Sequence, residues 1–94
     1  MATVVYANFE WDEAKARANQ RKHRVTFEEA ATALVDPRAL EAPDYSDPER
    51  FVSIGMSAFL RILFIVHTER AHGRTRILSA RKAAPAQRRI YEEG

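Results

Sequence analysis

The stretch LRILFIVHT, residues 60–68, decides which fold this sequence can adopt. Its centre, Ile62–Val66, is apolar at every position. Strands buried on both faces are continuous apolar runs, whereas half-exposed strands alternate between apolar and polar residues. Residues 60–68 therefore predict the central strand of a sheet.

The segments on either side of this strand predict its neighbours. Residues 50–57 alternate between apolar and small or polar side chains, as a half-buried strand does. Residues 69–73 predict a turn, and residues 75–80 a further strand. A shorter strand over residues 39–42 precedes a loop rich in Asp, Ser and Pro. Because short connections join antiparallel strands, we expect a mainly antiparallel sheet.

Two helices are predicted closer to the N-terminus. Asp12 is a suitable N-cap for a helix over residues 13–22, which is rich in alanine. Thr26 and Glu29 have the spacing of a capping box, and the apolar residues that follow repeat at helical intervals to about Val35. These signals predict two consecutive helices before most of the strands.

The remaining signals complete the order of elements. Alternating aromatic residues over 6–11 predict a first strand, and Pro85 suits the first position of a C-terminal helix. We expect an α+β fold in a single domain, residues 1–94, with two N-terminal helices packed on a mainly antiparallel sheet and a short C-terminal helix.

Length and composition exclude several classes of protein. The 94 residues leave no room for a second large domain, and the absence of cysteine excludes disulfides, thiolate nucleophiles and cysteine-based zinc sites. No run approaches the roughly 20 apolar residues of a membrane span, and the first residues lack the pattern of a signal peptide. We expect a protein of the cytoplasm without membrane contact.

Charge is divided unevenly along the chain. Residues 1–47 hold six Lys/Arg and nine Asp/Glu, and residues 48–94 hold nine Lys/Arg and four Asp/Glu. Twelve of the fifteen basic residues are arginine, whose planar guanidinium binds phosphate or carboxylate with two hydrogen bonds. A polyanion or an acidic protein is the expected partner.

The residue types present suit cleavage of RNA without a metal ion or other cofactor. The three histidines are too far apart for a local metal motif, and no phosphate-binding glycine loop is present. RNA supplies its own nucleophile, the 2′-OH, so Arg, His and Glu suffice for catalysis. His67 and Glu69 share one face of the central strand and are our acid–base candidates, with Arg76 and Arg81 beside them as phosphate clamps.

Structural interpretations of these residues stay open. A single histidine at a strand end often serves packing, and Glu69 has arginines nearby with which it could pair. Arg50 fits a phosphate clamp and an ion pair with the acidic loop equally well. Lys22 and His23 fit RNA contacts, and they also suit the negative end of a helix dipole. Tyr91 fits base stacking or the core.

An ordered set of short motifs resembles the BrnT family of toxins. The likeness runs from about Phe9 to Glu93, and one departure is Arg24, where the family usually has glycine. The motifs are FEWDEAKARANQRKH (9–23), VTFEEA (25–30), DP (36–37), ERF (49–51), IG (54–55), VHTER (66–70), RILSARKA (76–83) and RRIYE (88–92).

This resemblance implies a RelE-like fold and a ribonuclease toxin of a type II toxin–antitoxin system that inhibits translation. It also implies a BrnA-like antitoxin with a ribbon-helix-helix part, a complex of two toxins with two antitoxins, and operator DNA bound through the antitoxin. The expected site comprises the catalytic residues His67, Glu69, Arg50, Arg76 and Arg81, and the RNA contacts Lys22, His23 and Arg70.

A second function remains consistent with the same residues. An arginine-rich module without catalytic activity would bind an acidic antitoxin or operator DNA and would affect growth by sequestration. Turnover separates the two, because an enzyme cleaves many RNA molecules and a binding module only shifts or protects them.

Overall fold

The computed structural model describes residues 2–94, which form one six-stranded mixed sheet and three helices. The strands follow the spatial order β1-β2-β6-β5-β4-β3, and only β2 and β6 pair in parallel. The elements are β1 (Thr3–Tyr6), β2 (Phe9–Asp12), α1 (Glu13–His23), α2 (Phe27–Leu34), β3 (Leu40–Pro43), β4 (Phe51–Met56), β5 (Ile62–Glu69), β6 (Thr75–Lys82) and α3 (Pro85–Glu93). The α+β class and the mainly antiparallel sheet are confirmed.

The apolar run 60–68 does form a central strand, β5, between β4 and β6. Its side chains alternate, so Leu63, Ile65 and His67 are buried on one face of the sheet. We call this the core face, because α2 and the main apolar cluster lie on it. We call the opposite face the arginine face; it carries Phe64, Val66 and Thr68 of β5 and Arg76 and Arg81 of β6.

A β-bulge in β6 determines which of its residues share a face. Val66 pairs with Ser79 and His67 pairs with Ile77, so Leu78 has no partner in the register. A bulge inserts one residue and reverses the alternation beyond it. Arg76 and Arg81, an odd number of residues apart, consequently lie on the same face.

The N-terminal segment differs from the expected single strand over residues 6–11. It forms a hairpin, in which Tyr6 of β1 pairs with Phe9 of β2. Ala7, in the turn, has a φ of 54°. Alternating aromatics do not reveal this turn, because neither Ala7 nor Asn8 is followed by the glycine that marks most two-residue hairpins.

Helix α1 lies along the edge of β6 rather than squarely on the sheet. The Asn19 amide bonds to both the N–H and the C=O of Ala80, at 3.1 and 2.8 Å, and donates to the Val25 carbonyl. Asn19 is buried, although helical spacing puts it on one stripe with the exposed Lys15 and Lys22. Its amide satisfies strand groups that β2 is too short to reach.

Helix α2 packs on the core face through small side chains. Thr26 is its N-cap, as predicted, since the Thr26 hydroxyl accepts from the Glu29 N–H at 3.0 Å, but the Glu29 carboxylate turns to Ser57 and Arg61 and does not complete the capping box. Gly55 of β4 lies so close that a Cβ there would come within 2.4 Å of the Ala33 carbonyl oxygen. The buried Glu29 carboxylate binds Arg61 and accepts from the Ser57 hydroxyl at 2.7 Å, which ties α2 to the β4–β5 turn.

Helix α3 contacts β4 and β5, and its Gln87 side chain accepts from Arg81 on the arginine face. Tyr91 is buried and donates to Asp36 at 2.6 Å, so its phenol serves the packing of α3. Trp11 is likewise buried, against Phe27. Of the helices described in residues 2–94, none has the length and apolar character needed to cross a membrane.

Candidate functional site

The predicted site residues lie in two places, separated by the thickness of the sheet. Arg76 and Arg81 are on the arginine face, together with Arg70 at the end of β5. His67 and Glu69 share the core face, as their spacing predicted. The side chains of adjacent strand residues point to opposite faces, so Arg76, beside Thr68, cannot converge with His67.

Arg81 is held in place on the arginine face. Its guanidinium lies 4.5 Å from the centroid of the Phe64 ring, and its Nη1 donates to the Gln87 side chain and to the Lys82 carbonyl, both at 3.1 Å. An arginine fixed by an aromatic ring and two acceptors keeps other N–H groups for a ligand and loses little conformational entropy on binding.

A second group of cations surrounds the buried carboxylate of Glu10. Arg76 Nη1 donates to Glu10 Oε2 at 2.6 Å, Arg70 Nε lies 3.7 Å from the same oxygen, and His72 Nε2 lies 3.5 Å from Oε1. We call these four residues the Glu10 cluster. The hydrogen bond from Arg76 holds the pKa of Glu10 below its ordinary value despite burial, so the carboxylate is ionised.

Sequence analysis missed Glu10 and His72 as site residues. Glu10 is separated from Arg76 by 66 positions, and the parallel pairing of β2 with β6 brings them side by side. The only local signal was an acidic residue between two inward-facing aromatics, Phe9 and Trp11, which predicts an outward and solvated side chain. The contacts of Arg76, Arg70 and His72 explain why this carboxylate is buried instead.

His67 lies on the core face in the wall of a cleft of about 360 Å³. Its Nε2 is 2.8 Å from the Ser53 hydroxyl and 3.9 Å from Glu41, and its Nδ1 is buried without a hydrogen-bond partner among the described residues. Burial lowers the pKa of His67, against the opposing effect of Glu41 and Glu69. Glu69 and Asp36 also line this cleft, so carboxylates predominate there over cations.

The other predicted residues lie apart from both places. Arg50 Nε lies 3.3 Å from the Asp47 carboxylate. Arg50 therefore forms an ion pair with the acidic loop, which is one of the two roles predicted for it. Lys22 and His23 form the last turn of α1, where cations favour the helix dipole. Glu69, within the core-face cleft, accepts from Thr75 at 2.9 Å instead of pairing with a neighbouring arginine.

Potential metal ligands are dispersed over the part of the chain that the structure describes. Within residues 2–94, no three His, Asp or Glu side chains are grouped so that they could hold a metal ion.

Comparisons with known proteins identify the family of the chain. The crystal structure of the Brucella abortus ribonuclease toxin BrnT, at 1.1 Å resolution, superimposes with a TM-score of 0.65 and 25% sequence identity, over 79% of this chain and 92% of that one. No curated protein sequence matches the chain. The family model described as "Ribonuclease toxin, BrnT, of type II toxin-antitoxin system" matches residues 11–86. The chain therefore belongs to the BrnT family of ribonuclease toxins from type II toxin–antitoxin systems.

Proposed function

We propose that this protein inhibits translation by cleaving RNA on its arginine face without a metal ion. The 2′-OH of the RNA attacks the adjacent phosphorus, and the protein needs only to bind the phosphate, stabilise the added negative charge and move protons. The observation that carries the proposal is the presence of Arg76 and Arg81 on one face. Both are held there by protein contacts.

The spacing of these arginines supports binding of an extended strand. Arg76 and Arg81 lie opposite Thr68 and Phe64, which are four residues apart on β5, or about 13 Å at the usual rise per residue. Arg70 extends the cationic surface beyond Arg76, beside the β5–β6 turn. Lys22 and His23 remain predicted RNA contacts at the margins, and Arg50 remains a predicted phosphate clamp.

The acid–base roles of His67 and Glu69 stay a prediction. Their cleft contains the carboxylates of Glu41 and Asp36, which repel a phosphate, and His67 is only 2% exposed. RNA bound to the arginine face would not reach them through the sheet. We therefore place the RNA on the arginine face and test His67 separately below.

An antitoxin partner follows from membership in a type II family. We propose that it is a BrnA-like protein with a ribbon-helix-helix part, that it covers the cationic surface in a complex of two toxins and two antitoxins in the cytoplasm, and that operator DNA binds through it. Arginine-rich surfaces favour an acidic segment of such a partner. Light scattering of the co-purified complex tests the stoichiometry.

The decisive experiment is cleavage of RNA in EDTA by the purified, antitoxin-free chain, at one protein per many substrate molecules. We expect multiple turnover, which Arg81→Ala lowers about 100-fold, the usual effect of removing one group that stabilises developing charge. Arg17→Ala is the matched control, because Arg17 is an exposed arginine on α1 paired only with Glu13.

Two results would contradict the proposal. Turnover that stops in EDTA and returns with a divalent cation would show a metal-dependent enzyme. Intact RNA with a salt-sensitive gel shift would favour the binding module without catalysis. Arg81→Lys, which keeps a charged stem over Phe64, shows whether any loss in Arg81→Ala reflects the fold.

A further inference from the structure

The β5–β6 turn brings the Glu10 cluster to one end of the arginine face. We propose that this cluster is the reacting centre, where Arg76 and Arg70 bind the phosphodiester that is cleaved and His72 accepts the 2′-OH proton, with Glu10 as the residue that positions them. The inference rests on the proposed function, since it locates the reaction within the RNA-binding face.

The balance of charge in the cluster favours an anionic ligand. One buried carboxylate faces two guanidinium groups and one imidazole, so the ionised cluster is positive even with His72 neutral. Glu10 is 4% exposed, and a carboxylate so buried is stable only because cations surround it. The positive charge that Glu10 leaves uncompensated is available to a phosphate at the surface.

Of the three side chains that contact Glu10, one makes a structural contact and two remain free to bind a ligand. Arg76 is bound closely, at 2.6 Å, and its side chain is 22% exposed, which suffices to fasten β2 to β6. Arg70 Nε and His72 Nε2 lie farther from the Glu10 carboxylate, at 3.7 and 3.5 Å, and their side chains are 50% and 53% exposed. A purely structural ion pair needs neither of these, whereas a phosphate site uses partly exposed donors that are already oriented.

His72 has the access that His67 lacks. Its Nε2 faces Glu10, which leaves Nδ1 for the substrate, and a carboxylate behind an imidazole orients the ring. Arg70 in the turn and Arg76 from β6 contact the same carboxylate.

The reaction balances with these groups alone. The O2′–P bond forms as the proton of the 2′-OH passes to His72 Nδ1, and the P–O5′ bond breaks as O5′ takes a proton from water. His72 then releases its proton to solvent. The products are a 2′,3′-cyclic phosphate and a 5′-OH end, with no change of oxidation state.

The test compares His72→Asn, Glu10→Gln and His67→Asn in the full chain, with Arg17→Ala as the control. The substrate is an RNA oligonucleotide, and its fully 2′-deoxy version serves for binding, since it lacks the nucleophile. We expect His72→Asn to lower kcat about 100-fold while the Kd for the deoxy strand hardly changes, a typical loss for a general base. The product ends should be 2′,3′-cyclic phosphate.

The separate effects on kcat and on Kd distinguish catalysis from structure. Glu10→Gln should lower kcat as His72→Asn does, without weakening the binding of the deoxy strand, because an imidazole without its carboxylate partner is no longer oriented. A merely structural role for Glu10 would lower stability and leave the kcat of the folded variant unchanged.

Each outcome decides between the two proposals. Wild-type rates in His72→Asn, with loss of activity in His67→Asn, would overturn this inference in favour of the core-face cleft and leave the ribonuclease assignment intact. A wild-type kcat in a folded Glu10→Gln would overturn the positioning role. A wild-type chain that binds but never cleaves RNA would overturn the proposed function itself.

Discussion

Single polar side chains inside this small domain are satisfied over long distances in sequence. Asn19 joins α1 to β6, Glu29 joins α2 to Arg61, and Glu10 joins β2 to Arg76. A buried polar group without a partner costs about 1–3 kcal/mol, so each of these contacts selects one packing of the elements. His67 is the exception, because its buried Nδ1 has no partner among the described residues.

The stability of the fold should therefore depend on pH through His67. Its pKa is lowered by burial, so below the ordinary value of 6.5 the unfolded chain binds a proton that the folded chain does not. The free energy of unfolding should fall as pH decreases from 7.5 to 5. The lowered carboxylate pKa values of Glu10, Glu29 and Asp36 add a loss only at lower pH, near their ordinary values of 4.5 and 3.8.

Urea unfolding at several pH values checks this prediction. His67→Gln stays neutral throughout and can still bond to Ser53, so its unfolding free energy should change little between pH 7.5 and 5. An unchanged slope in His67→Gln would show that the effect does not arise from His67.

At the scale of elements, the ends of helices and strands follow local chemistry. Asp12 and Thr26 accept the expected capping hydrogen bonds, at 3.0 Å each. Helix α1 ends with Arg24 in the left-handed region, at φ 60°, where its N–H bonds to the Gln20 carbonyl. A left-handed residue is a common helix end, and the conformation costs any residue other than glycine about 1–2 kcal/mol.

Replacing this residue should stabilise the protein. We expect Arg24→Gly to raise the free energy of unfolding by about 0.5–1 kcal/mol, because glycine avoids the Cβ strain but loses more entropy on folding. Arg24→Ala keeps the strain and serves as the matched control, which should show no such gain. Thermal unfolding of the three proteins measures the difference, and equal gains in both variants would trace the effect to the lost charge.

At the scale of the molecule, the sheet separates two electrostatic environments. One face presents Arg76 and Arg81, and the other holds the cleft in which Glu41, Glu69 and Asp36 surround His67. The net charge of +2 conceals this division. An extended polyanion would be attracted to one face and repelled from the other, which gives binding a defined side.

The salt dependence of RNA binding should reflect phosphate contacts confined to the arginine face. Three phosphate contacts, from Arg70, Arg76 and Arg81, predict a slope of log K against log salt of about −2 for a single strand. Arg81→Ala should make the slope less negative by about 0.7, and Arg17→Ala should leave it unchanged. Anisotropy titrations with the deoxy oligonucleotide measure the slopes, and an equal change in both variants would argue against a localised site.

Local signals were sufficient for much of the fold. The apolar run 62–66 predicted the central strand, the caps predicted both N-terminal helices, and the even spacing of His67 and Glu69 placed them on one face. Each of these signals acts between residues a few positions apart, where the geometry of a helix or strand is regular. The hairpin of β1 and β2 was missed because its turn lacks glycine.

The site itself depends on contacts that no local pattern specifies. Strict alternation would have placed Arg76 and Arg81 on opposite faces, and the bulge at Leu78 places them together. The Glu10 cluster exists because β2 enters the sheet beside β6, parallel to it and 66 positions away. Sequence alone determined most of the elements and their order; the register and the bulge, which only packing of the whole sheet selects, decided which charged groups meet.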